Sequence, residues 1–199
     1  MTSAPSPVGR VNFLRAFFQH RKTIGAVVPT SQRVSRRMAR WAGVESAQAV
    51  AEFGPGTGVI THHLLNALPP TGRLWGFEVY RPFVDYLEES ISDPRFTVLG
   101  ESAESISTVR ATAPEAADGF DAIVSSIPFS LIGLEQSRTI LREAARSLRR
   151  GGSFVALQYH PKFLAPLLSE QFEVVEREFH LFHLPPVFLL RARNPRLAE

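Results

Sequence analysis

No cysteine occurs among the 199 residues. Disulfides, thiolate-bound metals and a cysteine nucleophile are therefore excluded, and a reducing cytoplasm suits the chain. No apolar run approaches the roughly 20 residues that a membrane-spanning helix needs. Met1 to Gly9 lacks the charged start and apolar core of a secretory signal; rich in Ser, Pro and Gly, it is expected to be a disordered tail. Repeats are absent, as is any linker long enough to separate domains, so a single core is expected. Acids are missing from the first 44 positions. That stretch holds eight of the chain's 22 basic residues: Arg10, Arg15, Arg21, Lys22, Arg33, Arg36, Arg37 and Arg40. All 19 acids fall in the remainder, which is net acidic. A basic front on an acidic body calls for an anionic partner, either nucleic acid or anionic lipid.

What is present is concentrated in Val50-Ala51-Glu52-Phe53-Gly54-Pro55-Gly56-Thr57-Gly58. An apolar run, an acid and three glycines at alternate positions read as a buried strand turning sharply into a helix. Glycine admits positive φ and lets a ligand lie against bare backbone, while Pro55 stiffens the turn. A second acid, Glu78, follows twenty residues after Gly58 at the end of Leu74-Trp75-Gly76-Phe77. Such an acid holds an adenosine ribose in strand–helix–strand units. A dinucleotide fingerprint would need a third glycine at Val59, which is not there. The spacing E-x-G-x-G-x-G instead looks like motif I of class I S-adenosylmethionine-dependent methyltransferases. A carboxylate at Glu52 suits a ligand that carries an ammonium and a sulfonium.

Further along, strands and helices alternate, which predicts a doubly wound α/β sheet. Strands are expected near 48–53, 73–78, 95–99, 120–125 and 152–158, and helices near 58–67, 82–91, 102–111, 134–148 and 161–169. Arg149-Arg150-Gly151-Gly152 reads as a glycine stop to the long helix. Two last strands, 172–180 and 186–192, should form a hairpin around Leu184-Pro185-Pro186. Before motif I, Ser31 is a candidate cap for a helix to about Ala42. Arg10–Lys22 also looks helical, with Val11, Phe13, Leu14, Phe17 and Phe18 on one face and Asn12, Arg15, Gln19 and Lys22 opposite. That pattern fits a basic amphipathic helix in a bilayer interface, or a helix packed on its own core. The expected division is a tail at 1–9, basic helices at 10–44 as membrane contact or lid, and the main domain at 45–199.

These segments together resemble the bacterial phospholipid N-methyltransferases, which make phosphatidylcholine from phosphatidylethanolamine in three successive methylations. The likeness rests on Phe13-Leu14, on Thr23-Ile24-Gly25-Ala26-Val27-Val28-Pro29-Thr30-Ser31, on motif I, and on Glu78. It continues through Ser126-Ile127-Pro128-Phe129, Gly151-Gly152, Gln158-Tyr159 and Leu184-Pro185-Pro186. The resemblance implies a Rossmann-like seven-stranded sheet with a terminal antiparallel hairpin, S-adenosylmethionine as cofactor and S-adenosylhomocysteine as product. It implies donor binding at Glu52, Gly54, Gly56 and Glu78. The family is similar to ribosomal RNA adenine dimethylases, which carry Asn-Leu-Pro-Tyr where this chain has Ser126-Ile127-Pro128-Phe129; the missing asparagine speaks against a nucleic-acid base as acceptor.

Ligands of such sheets lie at the carboxyl ends of the strands. The cofactor candidates are accordingly Glu52, Gly54, Pro55, Gly56, Thr57 and Gly58 at the first end, and Glu78 and Val79 at the second. Glu101, Ser102 and Ala103 follow at the third end, for the adenine amino group, and Ser125 at the fourth. Ser126 can accept from an alkyl amine, Phe129 can stack on a cationic headgroup, and Pro128 neighbours both. An amine that arrives protonated needs a proton acceptor. Tyr159 and His160 are the candidates, with His160 closer to neutrality in intrinsic pKa. Of His62 and His63, one is a candidate to face the ligand; His180 and His183 are read as structural. No metal is expected. The expected partners are an anionic membrane surface and a phospholipid substrate, met through Phe13, Leu14, Arg15, Phe17, Phe18 and Lys22. The expected location is cytoplasmic, peripheral on the inner face of the cell membrane. An RNA adenine N-methyltransferase, a methyltransferase of a soluble small amine, and a non-catalytic adenosylmethionine-binding protein at the membrane surface remain the alternatives.

Overall fold

The computed structural model describes residues 30–196. The expected tail 1–9 and the Arg10–Lys22 helix, with Phe13, Leu14, Arg15, Phe17, Phe18 and Lys22, lie outside those residues.

Helix α1 covers Gln32–Ala42. Ser31 caps it as expected, its hydroxyl accepting from the Val34 N–H at 3.4 Å, and Gly43 ends it in the left-handed region at φ +77°. Its buried apolar residues, Val34, Met38, Ala39 and Ala42, recur at helical spacing and make one stripe. The following strands and helices are β1 Ala49–Phe53, α2 Val59–Ala67, β2 Arg73–Phe77, α3 Arg81–Ser90 and β3 Phe96–Leu99. Next come α4 Ile106–Thr112, β4 Phe120–Ser125, a four-residue helix α5 Phe129–Ile132, α6 Leu134–Ser147 and β5 Leu148–Gln158. The chain closes with α7 Pro161–Gln171, β6 Phe172–His180 and β7 Val187–Pro195.

The sheet has seven strands in the order β3-β2-β1-β4-β5-β7-β6. The first five run parallel, while β7 lies antiparallel to both β5 and β6. This is the expected doubly wound architecture with its terminal hairpin. All five residues of β1 are buried, because helices cover both faces of a parallel sheet. Ala49, Ala51 and Phe53 face the core shared with α4, α6 and α7, where Phe120, Phe154 and Phe172 gather. Val50 faces the other core, built with Val34 and Met38 of α1 and Ile60 and Leu64 of α2.

Two expectations fail at β5. The long helix stops at Ser147, and Gly151-Gly152 lies inside the strand rather than at the helix end. The strand starts at Leu148, and its register to β4 shifts between Phe120 and Ala122. Gly152 occupies that irregularity because a Cβ there would stand 2.8 Å from the Phe120 carbonyl oxygen. The glycines thus serve a close strand approach, not a helix cap. Nearby, Asp121 accepts from the Gln48 and Ala49 amides at 2.7 and 2.8 Å and pairs with Arg149. These contacts tie together the amino-terminal ends of β1, β4 and β5. The predicted helix at 102–111 is also divided, with a single 3-10 turn at Ala103–Ser105 before α4.

Candidate active site

The carboxyl ends of the parallel strands form one row. Phe53 stands opposite Phe77 and Ser125, Phe77 opposite Leu99, and Ser125 opposite Ala156. The next residue of each strand stays bonded to its neighbour: Gly54 N–H to Phe77 O at 2.9 Å, Glu78 N–H to Leu99 O at 3.0 Å, Ser126 N–H to Phe53 O at 3.0 Å. Sequence positions 54, 78 and 126 are thereby brought side by side.

The glycine turn has two distinct needs for glycine. Gly58 sits at φ +80°, and a Cβ there would meet Leu87 Cδ2 at 2.9 Å, so it lets α3 approach the start of α2. Gly56 sits at φ +59° with nothing within 4 Å of the position a Cβ would take. That is open room beside bare backbone, where a ligand can lie against the turn. Pro55 is buried and Thr57 exposed.

Glu78 is buried, and both carboxylate oxygens accept from backbone: Oε2 from Gly56 N–H at 3.0 Å and Oε1 from Tyr80 N–H at 2.9 Å. These bonds aim the carboxylate at the turn and leave further lone pairs for a hydroxyl donor. Burial pushes its pKa up, while the Tyr80, Gly56 and Val79 amides hold it down. Val79 beside it is exposed.

Glu52 is wholly buried at the end of β1, and neither carboxylate oxygen has a hydrogen-bond partner. Burial pushes its pKa up to about 8; the Thr61 hydroxyl lowers it and the neighbouring Glu78 raises it. Thr61 is close enough to act on the carboxyl but outside hydrogen-bond geometry. A buried carboxyl without partners is costly and wants a cation or a donor.

The loop after β4 is braced from three sides. The Ser126 hydroxyl donates to the Gly54 carbonyl at 2.6 Å. The Ile127 N–H donates to Ser125 Oγ at 3.3 Å, and Gln158 Nε2 donates to the Ile127 carbonyl at 2.8 Å. Gln158 and Ile127 stood in the strand-end motifs with no role of their own, and the structure shows them bracing this loop. The signal was a glutamine closing the apolar run Phe154–Leu157, since a buried amide there must find a partner.

One expected role is corrected. Phe129 has no exposed surface; its ring lies in the core beside Phe154, with centroids 6.5 Å apart, and cannot stack on a headgroup. Ser125 is likewise fully buried, and its hydroxyl oxygen accepts from the Ile127 amide, which braces the loop. Pro128 stays half-buried at the rim.

At the third strand end, Glu101 is exposed and Ser102 caps the 3-10 turn, its hydroxyl accepting from Glu104 N–H at 3.3 Å, with Ala103 buried beneath. At the fifth, Tyr159 is half-buried and packs on the α1–α2 core, while His160 is exposed before Pro161 and makes no side-chain cap to α7. On α2, His62 is exposed and His63 half-buried; burial, Arg36 and His62 hold the His63 pKa below its ordinary value. His183 turns inward and its Nδ1 lies 2.7 Å from the Pro185 carbonyl, a structural role as expected. No group of acidic and histidine side chains suited to a metal occurs among the described residues.

Residues 50–152 match a family described as methyltransferase domain. The chain is 28% identical over 175 residues to an ornithine lipid N-methyltransferase of Singulisphaera acidiphila, covering 87% of this chain and 90% of that protein. Its fold is similar to a crystal structure of the O-methyltransferase TomG of Streptomyces achromogenes, involved in tomaymycin synthesis and in complex with SAM. There the TM-score is 0.66 at 17% identity, over 92% of this chain and 89% of the other. It is also similar to the N-methyltransferase NodS of Bradyrhizobium japonicum in complex with S-adenosyl-L-homocysteine, with a TM-score of 0.65 at 18% identity, over 83% of this chain and 87% of that one.

Proposed function

The chain belongs to the methyltransferase domain family, and from that premise we propose that it methylates the primary amine of a membrane lipid headgroup. Phosphatidylethanolamine is the acceptor, methylated stepwise toward phosphatidylcholine, and S-adenosylmethionine is the donor. The observation that carries this reading is the kinship, nearly end to end in both chains, with a lipid N-methyltransferase.

The donor fits the residues at the glycine turn. The room at Gly56 admits a ligand against backbone, Glu78 offers oriented lone pairs for ribose hydroxyls, and the unpartnered Glu52, kept neutral by burial, ionises beside a positive charge. When bound, S-adenosylmethionine supplies a methyl group already activated on a sulfonium. The protein then has to place the acceptor nitrogen in line and keep water away. Ser126 does the first of these. Its proton is committed to the Gly54 carbonyl, so its oxygen offers only lone pairs outward and accepts an N–H from the amine. The nitrogen's own lone pair is then left to react. An ammonium arriving at neutral pH gives up its proton to the imidazole of His160, which follows the last parallel strand, while Tyr159 shapes the headgroup site through its hydroxyl and ring face.

The basic segment Arg10–Lys22, read from its sequence, supplies apolar insertion, plus roughly 1 kcal/mol per basic residue at an anionic surface. It serves as the membrane anchor. A second reading keeps the site and takes ornithine lipid as acceptor; the name of the relative favours it. The test is labelled S-adenosylmethionine offered in parallel to vesicles of each lipid, to RNA and to soluble ethanolamine. Label in phosphatidylethanolamine is expected. Label confined to RNA or to free ethanolamine overturns the lipid reading.

A further inference from the structure

The β6–β7 turn has an unusual surface. Phe182 is 88% exposed, Leu184 71%, Leu181 60% and Phe179 52%. Four large apolar side chains within six residues stand in solvent, although a folded chain ordinarily collapses such groups inward. The turn is not a loose excursion. His183 is buried beneath it and meets the Pro185 carbonyl, so its apolar neighbours are left pointing outward. At its base the rings of Phe179 and Phe188 lie 4.7 Å apart, joining the two strands.

Register places this knob at the functional edge. Val187 pairs with His180, and Phe188 with Gln158, the last residue of β5. The turn therefore projects from the same edge as the glycine turn, Glu78 and Ser126. The first turn of α1 lies at this edge too. Ala42, at the far end of α1, accepts from Ser153 near the opposite edge, while Arg37 grips Glu178, three residues before Leu181.

The charges fit an anionic surface. Glu178, the nearest acid in the hairpin, is held by Arg37 through both oxygens. No other acid lies between it and the end of β7, and Arg33 of α1 and Lys162 of α7 are exposed. The four side chains expose roughly 500 Å² between them, short of the ~800 Å² per partner of a standard protein interface. A narrow apolar tip with aromatic members and basic surroundings suits the headgroup–acyl boundary.

We propose that the Leu181–Leu184 tip is a bilayer wedge, a membrane contact separate from the basic N-terminal segment. It turns the carboxyl edge of the sheet toward the lipid surface. The inference rests on the lipid reading above and adds the surface through which that substrate is met.

The experiment uses the full chain, vesicles of phosphatidylethanolamine with phosphatidylglycerol, and the variant Phe182→Ser/Leu184→Ser. Both positions are exposed, so the fold should survive; unchanged S-adenosylhomocysteine affinity, within twofold, checks it. The vesicle-bound fraction should fall at least tenfold, while methylation of a monomeric short-chain phosphatidylethanolamine stays as in the unaltered chain. In a second variant, Phe182→Trp, emission should be quenched by lipids brominated on the acyl chain. Undiminished vesicle binding, or absence of quenching, overturns the wedge. So does a self-association that the double variant abolishes while vesicle binding persists. If the unaltered chain binds vesicles through the tip yet labels no lipid, the substrate reading fails and the wedge stands.

Discussion

The Ser126 hydroxyl donates to the Gly54 carbonyl at 2.6 Å, across 72 residues of chain. The turn that would hold the donor and the loop that would hold the acceptor are thus locked to each other. A displacement of one is carried to the other, which is what in-line transfer requires.

Ser126→Ala removes both the lock and the outward lone pairs. We expect turnover to fall at least tenfold, with donor affinity by calorimetry changed about twofold or less. The stability cost should be about 1 kcal/mol, since the hydroxyl donates one neutral hydrogen bond. A variant with full turnover would remove Ser126 from the site.

The two glycines should behave differently when each becomes alanine. Gly58→Ala drives a Cβ to 2.9 Å from Leu87 at positive φ, and should cost about 2 kcal/mol or more in chemical denaturation. Gly56→Ala meets no protein atom, so its stability loss should stay near the ~1 kcal/mol of a left-handed alanine. Donor affinity should nevertheless drop tenfold or more, because the new methyl enters the ligand's room.

Glu52 makes stability depend on pH. Burial pushes its carboxyl from the ordinary 4.5 up to about 8 in the fold. Between those values the native state binds more protons than the unfolded chain, so stability falls as pH rises through the window. The slope approaches about 1.4 kcal/mol per pH unit. Glu52→Gln should flatten the profile between pH 5 and 8 in denaturant titrations. A profile identical to that of the unaltered chain would contradict the burial argument.

The same carboxyl couples binding to protons. A sulfonium ligand draws Glu52 toward its anion, so S-adenosylmethionine binding at pH 7 should release close to one proton. Titrations in buffers of different ionisation enthalpy would read that number. S-adenosylhomocysteine, without the sulfonium charge, should release less.

Gln158→Leu leaves the Ile127 carbonyl without its 2.8 Å donor. An unpaired polar group in that setting costs about 1–3 kcal/mol. Turnover should fall while donor affinity holds, because the loop that loses its brace belongs to the acceptor side. Gln158→Asn, too short to reach, should behave alike.

The strands and their order of appearance were readable from the chain because parallel strands are apolar on both faces and stand out against amphipathic helices. Motif I and Glu78 were readable because glycine spacing reports backbone geometry directly. Phe129 was misjudged because an aromatic beside a site motif looks the same whether it faces ligand or core. Only packing against Phe154 separates the two. Gly151-Gly152 misled for a similar reason, since a glycine pair after a helix serves equally as a cap or as room for a neighbouring strand.

By itself the sequence determined which backbone positions can take left-handed or closely approached conformations, and which runs must be buried. Those are local properties of single residues and short periods. The tertiary structure decided which distant groups meet: Ser126 with Gly54, Gln158 with Ile127, and Glu78 with Gly56. It also decided that Glu52 lies buried without a partner and that the Leu181–Leu184 tip stands outside the core. Burial and pairing depend on the register of seven strands and on two layers of helices, and no local stretch of chain encodes that sum.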